Sequence, residues 1–94
     1  MSVDLLIVNY NTRPLLQRLL DTLHQDYKDG VWKIYIQDNG STDDSVEFLK
    51  SNSDKYHIEK IIYSQNVGYS AAINSMAAQS NSEFLCAVNA DTWF

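Results

Sequence analysis

A doubly wound α/β fold on a parallel sheet is the class this sequence predicts, and three observations predict it. Hydrophobic periodicity switches along the chain between strand-like runs and helix-like stripes, giving strand, helix, strand, helix, strand, helix, strand. That alternation implies right-handed crossovers between parallel strands. Polar clusters then follow three of the runs, at Asn9-Tyr10-Asn11, Asp38-Asn39-Gly40-Ser41 and Asn89-Ala90-Asp91. Such sheets bind ligands beyond the carboxyl ends of their strands, at the topological switch point. The expected architecture is three layers, with four mainly parallel strands in the order 3-2-1-4 and three helices.

Each element has a local reason. Val3 to Asn9 is a nearly continuous apolar run, as a strand covered on both faces requires. Asn11-Thr12 offers an N-cap, Pro14 suits a first helical turn, and Leu15, Leu16, Leu19, Leu20 and Leu23 form a stripe. The first helix is therefore expected from about Thr12 to His24, with Asp26 to Gly30 a polar turn. Trp32 to Gln37 alternates aromatic and β-branched residues and reads as the second strand. Thr42 or Asp43 would cap a short helix that turns Val46 and Leu49 inward. Ile58 to Ser64 is the third strand and Gln65 to Gly68 a loop. Tyr69 to Gln79 is the third helix, with Ile73, Met76 and Ala77 on one side and alanines that permit close approach to a sheet. Glu83 to Val88 is the fourth strand.

Composition excludes several function classes. The chain has 94 residues, 45% hydrophobic and 20% charged, with 3 Gly and 1 Pro, which is the mix of one globular domain rather than a disordered or repetitive segment. A net charge of −5 leaves little basic surface for nucleic acid. No apolar run approaches the roughly 20 residues of a membrane span, and no basic, apolar leader opens the chain. The lone Cys86 excludes a disulfide framework and makes a reducing, cytoplasmic setting the simpler expectation. Cys86 reads as a small buried hydrophobe, and His24 and His57 as surface residues without ligand-spaced partners. Trp32, Tyr35 and Tyr63 read as core aromatics; Tyr10 and Tyr69 are better placed for a ligand, although packing suffices to explain both. Neither a dinucleotide fingerprint nor a P-loop is present.

Taken singly, the polar clusters are ordinary turn and cap chemistry. Their weight comes from coincidence, because the expected strand order brings the ends of the first, second and fourth strands to one crevice. Asp38 and Asp91 would stand roughly 10 Å apart there, two strand spacings. One carboxylate could accept hydrogen bonds from a base or ribose, and the other could hold a hard divalent cation.

Four segments in order carry a family resemblance: Leu5 to Thr12 (LLIVNYNT), Gln37 to Ser45 (QDNGSTDDS), Gln65 to Asn74 (QNVGYSAAIN) and Val88 to Thr92 (VNADT). Together they resemble the nucleotide-binding half of glycosyltransferase family 2, the GT-A fold, and most closely its rhamnosyltransferase-like branch. The resemblance implies a single nucleotide-sugar-binding domain over residues 1–94, truncated just after the metal motif. It implies that Asn9, Tyr10 and Asn11 lie along the base and ribose of a UDP- or dTDP-linked sugar. Asp38 would bind the base, Asn66 and Gly68 would open a loop over the nucleotide, and Asn74 would line the site. Asp91, with Asn89, would hold Mg²⁺ or Mn²⁺ at the diphosphate. The catalytic base, expected beyond residue 94, would activate a hydroxyl of a glycan or lipid-linked acceptor for inverting transfer. Two positions depart from the family pattern: Asn89 stands where an Asp is common, and Ile73 where an Arg often meets the diphosphate.

An exposed strand-four edge or the apolar Trp93-Phe94 end would favour homo-oligomers. The rival expectations are a non-catalytic nucleotide-binding module and an oligomerising structural fragment. A receiver-like domain is disfavoured because its acidic pair after the first strand is replaced by Asn9-Tyr10-Asn11.

Overall fold

The computed structural model describes residues 3–25, 32–80, 82 and 84–89. The elements run β1 (Val3–Asn9), α1 (Arg13–Gln25), β2 (Trp32–Asp38), α2 (Ser45–Asn52), β3 (Ile58–Tyr63), α3 (Tyr69–Ala77) and β4 (Phe84–Asn89). All strands pair in parallel in the order β3-β2-β1-β4, so the doubly wound arrangement is as expected. β1 is central, with Ile7 in register with Ile36 on one side and Val88 on the other. β2 and β4 each run one residue further than the sequence reading placed them, to Asp38 and Asn89.

Alternation along β1 divides the core. Ile7 joins Ile34, Ile36 and Val88 beneath Leu16, Leu19, Leu20 and Leu23 of α1 and Leu49 of α2. Leu6 and Tyr35 face the other way, against Met76 of α3, with Val8, Ile62, Ile73 and Ala77 around them. The leucine stripe of α1 follows the 3.6-residue period, and each fully buried leucine contributes about 1.5–3 kcal/mol. Ala72 is fully buried on α3, which lets that helix sit close over β1 and β2.

One charged group lies inside the apolar run of β1. Asp4 is fully buried; its Oδ1 accepts a hydrogen bond from Ser82 Oγ at 2.5 Å and its Oδ2 one from Ser80 Oγ. Hydrogen bonding compensates the burial and fastens the segment after α3 to the start of the sheet.

Several expectations change. Cys86 is exposed, as are Phe84, Leu85 and Ala87, because β4 pairs only with β1 among the described residues and α3 covers β1 and β2 instead. Tyr63 is exposed rather than a core aromatic, since β3 lies at the opposite edge, and Lys50 Nζ stands 5.6 Å from its ring centroid. Tyr35 is buried as expected, and Trp32 packs half-buried against the core. The N-cap position of α2 is Asp44, not Thr42 or Asp43, and its own side chain makes no capping bond; Asp43 instead accepts the amide of Ser45, the first helical residue. His24 and His57 are exposed and stack with ring centroids 5.8 Å apart. Among the described residues, no helix is long and apolar enough to cross a membrane.

Candidate functional site

The carboxyl ends of β1 and β2 are joined by a closed set of hydrogen bonds. Asn9 ends β1 fully buried, and its Nδ2 donates to Asp38 Oδ1 at 2.9 Å and to Ser41 Oγ at 3.3 Å. Thr12 Oγ1 donates to Asn9 Oδ1 at 2.6 Å, and the Asn39 amide donates to the Asn9 carbonyl at 2.9 Å. Asp38 ends β2 and closes the following turn with its carboxylate. Its Oδ2 accepts the Ser41 amide at 2.9 Å, while its Oδ1 accepts the Ser41 hydroxyl at 2.7 Å. Three protein donors therefore occupy a carboxylate that has about four acceptor positions. Asp38 is only 1% exposed, so its position is set by β1 and the turn rather than by solvent.

Asn11 holds the two loops together from the other side. It adopts the left-handed region at φ 53°, which asparagine tolerates better than most residues. Its amide donates to Ser41 Oγ at 2.9 Å, and its Oδ1 accepts the amides of Thr42 at 2.7 Å and Asp43 at 3.2 Å. Asp43 in turn accepts the amides of Arg13 at 3.2 Å and Ser45 at 2.9 Å. Burial pushes the Asp43 carboxyl up, but hydrogen bonding from Ser45, Arg13 and its own main chain outweighs this and holds it below its ordinary range. Arg13 Nε pairs with Asp44 at 3.3 Å, and its guanidinium lies 5.1 Å from the Phe48 ring centroid. Tyr10, between the two buried or tethered asparagines, is 47% exposed.

A second relay reaches the loop before α3. Gln37 Nε2 donates to Ser64 Oγ at 3.1 Å, Ser64 Oγ contacts Asn39 Oδ1 at 3.2 Å, and Asn39 Nδ2 donates to the Gly68 carbonyl at 3.3 Å. Gly40 fits closely: a Cβ there would stand 3.2 Å from the Ser64 carbonyl, at φ 86°. Gly68 also has φ 86°, in open space, so it is the backbone conformation that calls for glycine there. Asn66 Oδ1 accepts the Gly68 amide at 2.9 Å, which braces the turn into α3. Tyr69, opening α3, is 45% exposed.

Asn9, Asn11, Asp38 and the Asn66–Gly68 turn are thus linked by two hydrogen-bonded relays, one through Ser41 and one through Asn39. Asn74 is exposed on α3, outside these relays. Asn89 closes β4 beside Val8 of β1. Asp91 lies outside the described residues. Among the described residues, no three His, Cys, Asp or Glu side chains gather into a group that could hold a cation. The Asp38 carboxylate, buried and already taking three protein donors, does not fit that task. Ser41 and Asn39 are the members that motif reading left without a role. The signal for Ser41 was its place three residues after Asp38 in a polar turn at a strand end, within reach of that carboxylate.

The Glycosyl transferase family 2 model matches residues 4–94. This chain belongs to glycosyl transferase family 2. Within the family it is 27% identical over 92 residues to the putative glycosyltransferase EpsH of Bacillus subtilis (strain 168), covering 98% of this chain and 26% of that protein. It is 30% identical over 93 residues to the glycosyltransferase GlyA of Streptococcus pneumoniae serotype 4, covering 98% of this chain and 13% of that protein. Among solved structures, the mannosyltransferase PcManGT from Pyrobaculum calidifontis, in complex with GDP-Man and Mn²⁺, matches with a TM-score of 0.83 at 22% identity. That match covers 95% of this chain and 27% of PcManGT. S. aureus TarS 1-349, in complex with UDP-GlcNAc, matches with a TM-score of 0.82 at 20% identity, covering 97% and 27%. The family 2 chain described here therefore has the Rossmann-like α/β fold of GT-A glycosyltransferases and spans about a quarter or less of these relatives.

Proposed function

We propose that this chain forms the nucleotide-sugar donor site of an inverting glycosyltransferase acting in polysaccharide or cell-surface glycan synthesis. The observation that carries the proposal is the hydrogen-bonded set of buried Asn9 and Asp38 with half-buried Ser41 at the carboxyl ends of β1 and β2, next to the exposed Tyr10. The set lies at the carboxyl ends of the strands, the end at which open α/β sheets bind ligands, next to the switch point between β1 and β4. Tyr10 offers a face for the base, and the last acceptor position of Asp38 suits a base or ribose hydrogen. Asn66, Gly68 and Asn74 are assigned to the same nucleotide by family resemblance. Nucleotide sugars in PcManGT and TarS support a donor of that class; the donor proposed here is UDP- or dTDP-linked.

A divalent cation, Mg²⁺ or Mn²⁺, is assigned to Asp91 with Asn89, by family resemblance and by the Mn²⁺ in PcManGT. When bound, such an ion neutralises charge building up on a departing diphosphate. The base that deprotonates the acceptor hydroxyl, and the site for a glycan or lipid-linked acceptor, are assigned to sequence outside residues 1–94.

Calorimetric titration with UDP and dTDP, with and without Mn²⁺, tests the reading. Saturable binding is expected. Because aromatic stacking on a base contributes about 1–3 kcal/mol, Tyr10→Ala should weaken binding about tenfold or more without unfolding the chain. A manganese enhancement should be lost in Asp91→Ala. A folded wild type that binds neither nucleotide would refute the donor-site assignment.

A further inference from the structure

Ser41 presents a hydroxyl whose hydrogen-bonding capacity is used completely by the protein. A serine hydroxyl has one hydrogen to donate and two lone pairs to accept with. Here the hydrogen goes to Asp38 Oδ1 at 2.7 Å. The lone pairs take the Asn11 amide at 2.9 Å and Asn9 Nδ2 at 3.3 Å. Nothing remains for a ligand, so Ser41 has no contact to offer. What it does is hold two loops, one leading from β1 and one from β2, at a single atom.

We propose that Ser41 is a positioning residue of the nucleotide site, setting where Tyr10 stands relative to Asp38. This rests on the donor-site reading above. Tyr10 lies between Asn9 and Asn11, and both neighbours are bound to the Ser41 oxygen. Its backbone is thereby pinned at either end, while its ring stays free and 47% exposed. Asn11 is in the left-handed region, less favourable than the ordinary backbone regions even for asparagine, and its bonds to Ser41, Thr42 and Asp43 hold it there. Without the hydroxyl, the Asn11 amide and one Asp38 oxygen each lose a partner, and the Tyr10 loop regains freedom that nucleotide binding must then remove. The contact residues are unchanged by such a substitution; what is lost is their arrangement before the ligand arrives.

The test compares wild type, Ser41→Ala, Ser41→Thr, Tyr10→Ala and the Ser41→Ala/Tyr10→Ala double variant. For each, the UDP dissociation constant is measured by calorimetry, with dTDP in parallel, alongside the thermal midpoint and the hydrogen exchange of the Asn11 amide. We expect Ser41→Ala to weaken binding about tenfold, the scale of a hydrogen bond to a charged group, and Asn11 exchange to quicken. Threonine, which keeps the hydroxyl, should restore both. In the double variant the two losses should fall well short of adding, because Ser41 acts through the residue already removed. Wild-type affinity in Ser41→Ala, or fully additive losses, would overturn the positioning role alone. Absence of binding by wild type would overturn the donor-site reading and this role together. Should Ser41→Ala fail to fold, Ser41→Cys keeps the volume with a much weaker donor and acceptor, and the same affinity loss is expected of it.

Discussion

Asp43 illustrates how a carboxylate near the site serves the loops rather than a ligand. It receives the Arg13 and Ser45 amides, and its pKa lies below the ordinary 3.8. Between that ordinary value and the lower native one, the unfolded chain binds more protons than the native chain. Stability therefore rises with pH across this window. The contribution is complete above the ordinary value and is lost as pH falls through the native one. Asp43→Asn should flatten the acid limb of a plot of urea midpoint against pH below about 4, leaving the neutral region's slope unchanged. At the same scale, Asp38 and Asn9 were visible in the sequence as strand-end polar residues. Their burial was not, because the number of donors reaching Asp38 depends on Asn9 being 29 residues away in sequence and adjacent in space. Asn11 shows the same gap: read as a cap or a ligand contact, it spends its amide and its side-chain oxygen on the neighbouring loop.

Among the elements, α1 and the segment after α2 are coupled through Tyr56. Its ring is buried in the core and its hydroxyl donates to Asp21 Oδ1 at 2.5 Å. Burial first, then the Asp21 hydrogen bond and charge, push the tyrosine up to about 12 from its ordinary 10.0. The unfolded tyrosine ionises first as pH rises, so this stabilisation is intact below 10.0 and is lost as pH climbs through about 12. Tyr56→Phe should cost about 1–2 kcal/mol at neutral pH and remove that part of the alkaline destabilisation, as read by urea midpoints from pH 9 to 12. The helices and strands themselves were legible to within one or two residues in nearly every case, since the leucine stripe and the apolar strands report local periodicity. Cys86 and Tyr63 were misread for a different reason. Whether a strand residue is buried depends on what lies over and beside it, and β4 and β3 are the two ends of this sheet.

For the molecule as a whole, β4 is the feature with most consequence for association. Its outer edge has no strand partner among the described residues, and Phe84 and Leu85 are 51% and 47% exposed on alternate faces. An unpaired edge beside apolar side chains is a template for pairing with another copy. We propose self-association through this edge. Sedimentation velocity at rising concentration should show a dimer or larger species, and Leu85→Lys should shift the population toward monomer. A monomer at all concentrations would refute this.

What the sequence determined by itself was the order and type of the elements, the parallel sheet, the family and the places where ligand chemistry could sit. All of these are written in local periodicity, in crossover handedness and in short motifs that survive without knowledge of contacts. Tertiary structure alone decided which of those polar residues are spent on one another. Hydrogen-bond capacity is finite, and only the packing of β1 against β2 shows that Ser41 and Asn11 exhaust most of theirs within the protein. The Tyr10 ring, by contrast, stays exposed beside Asn11.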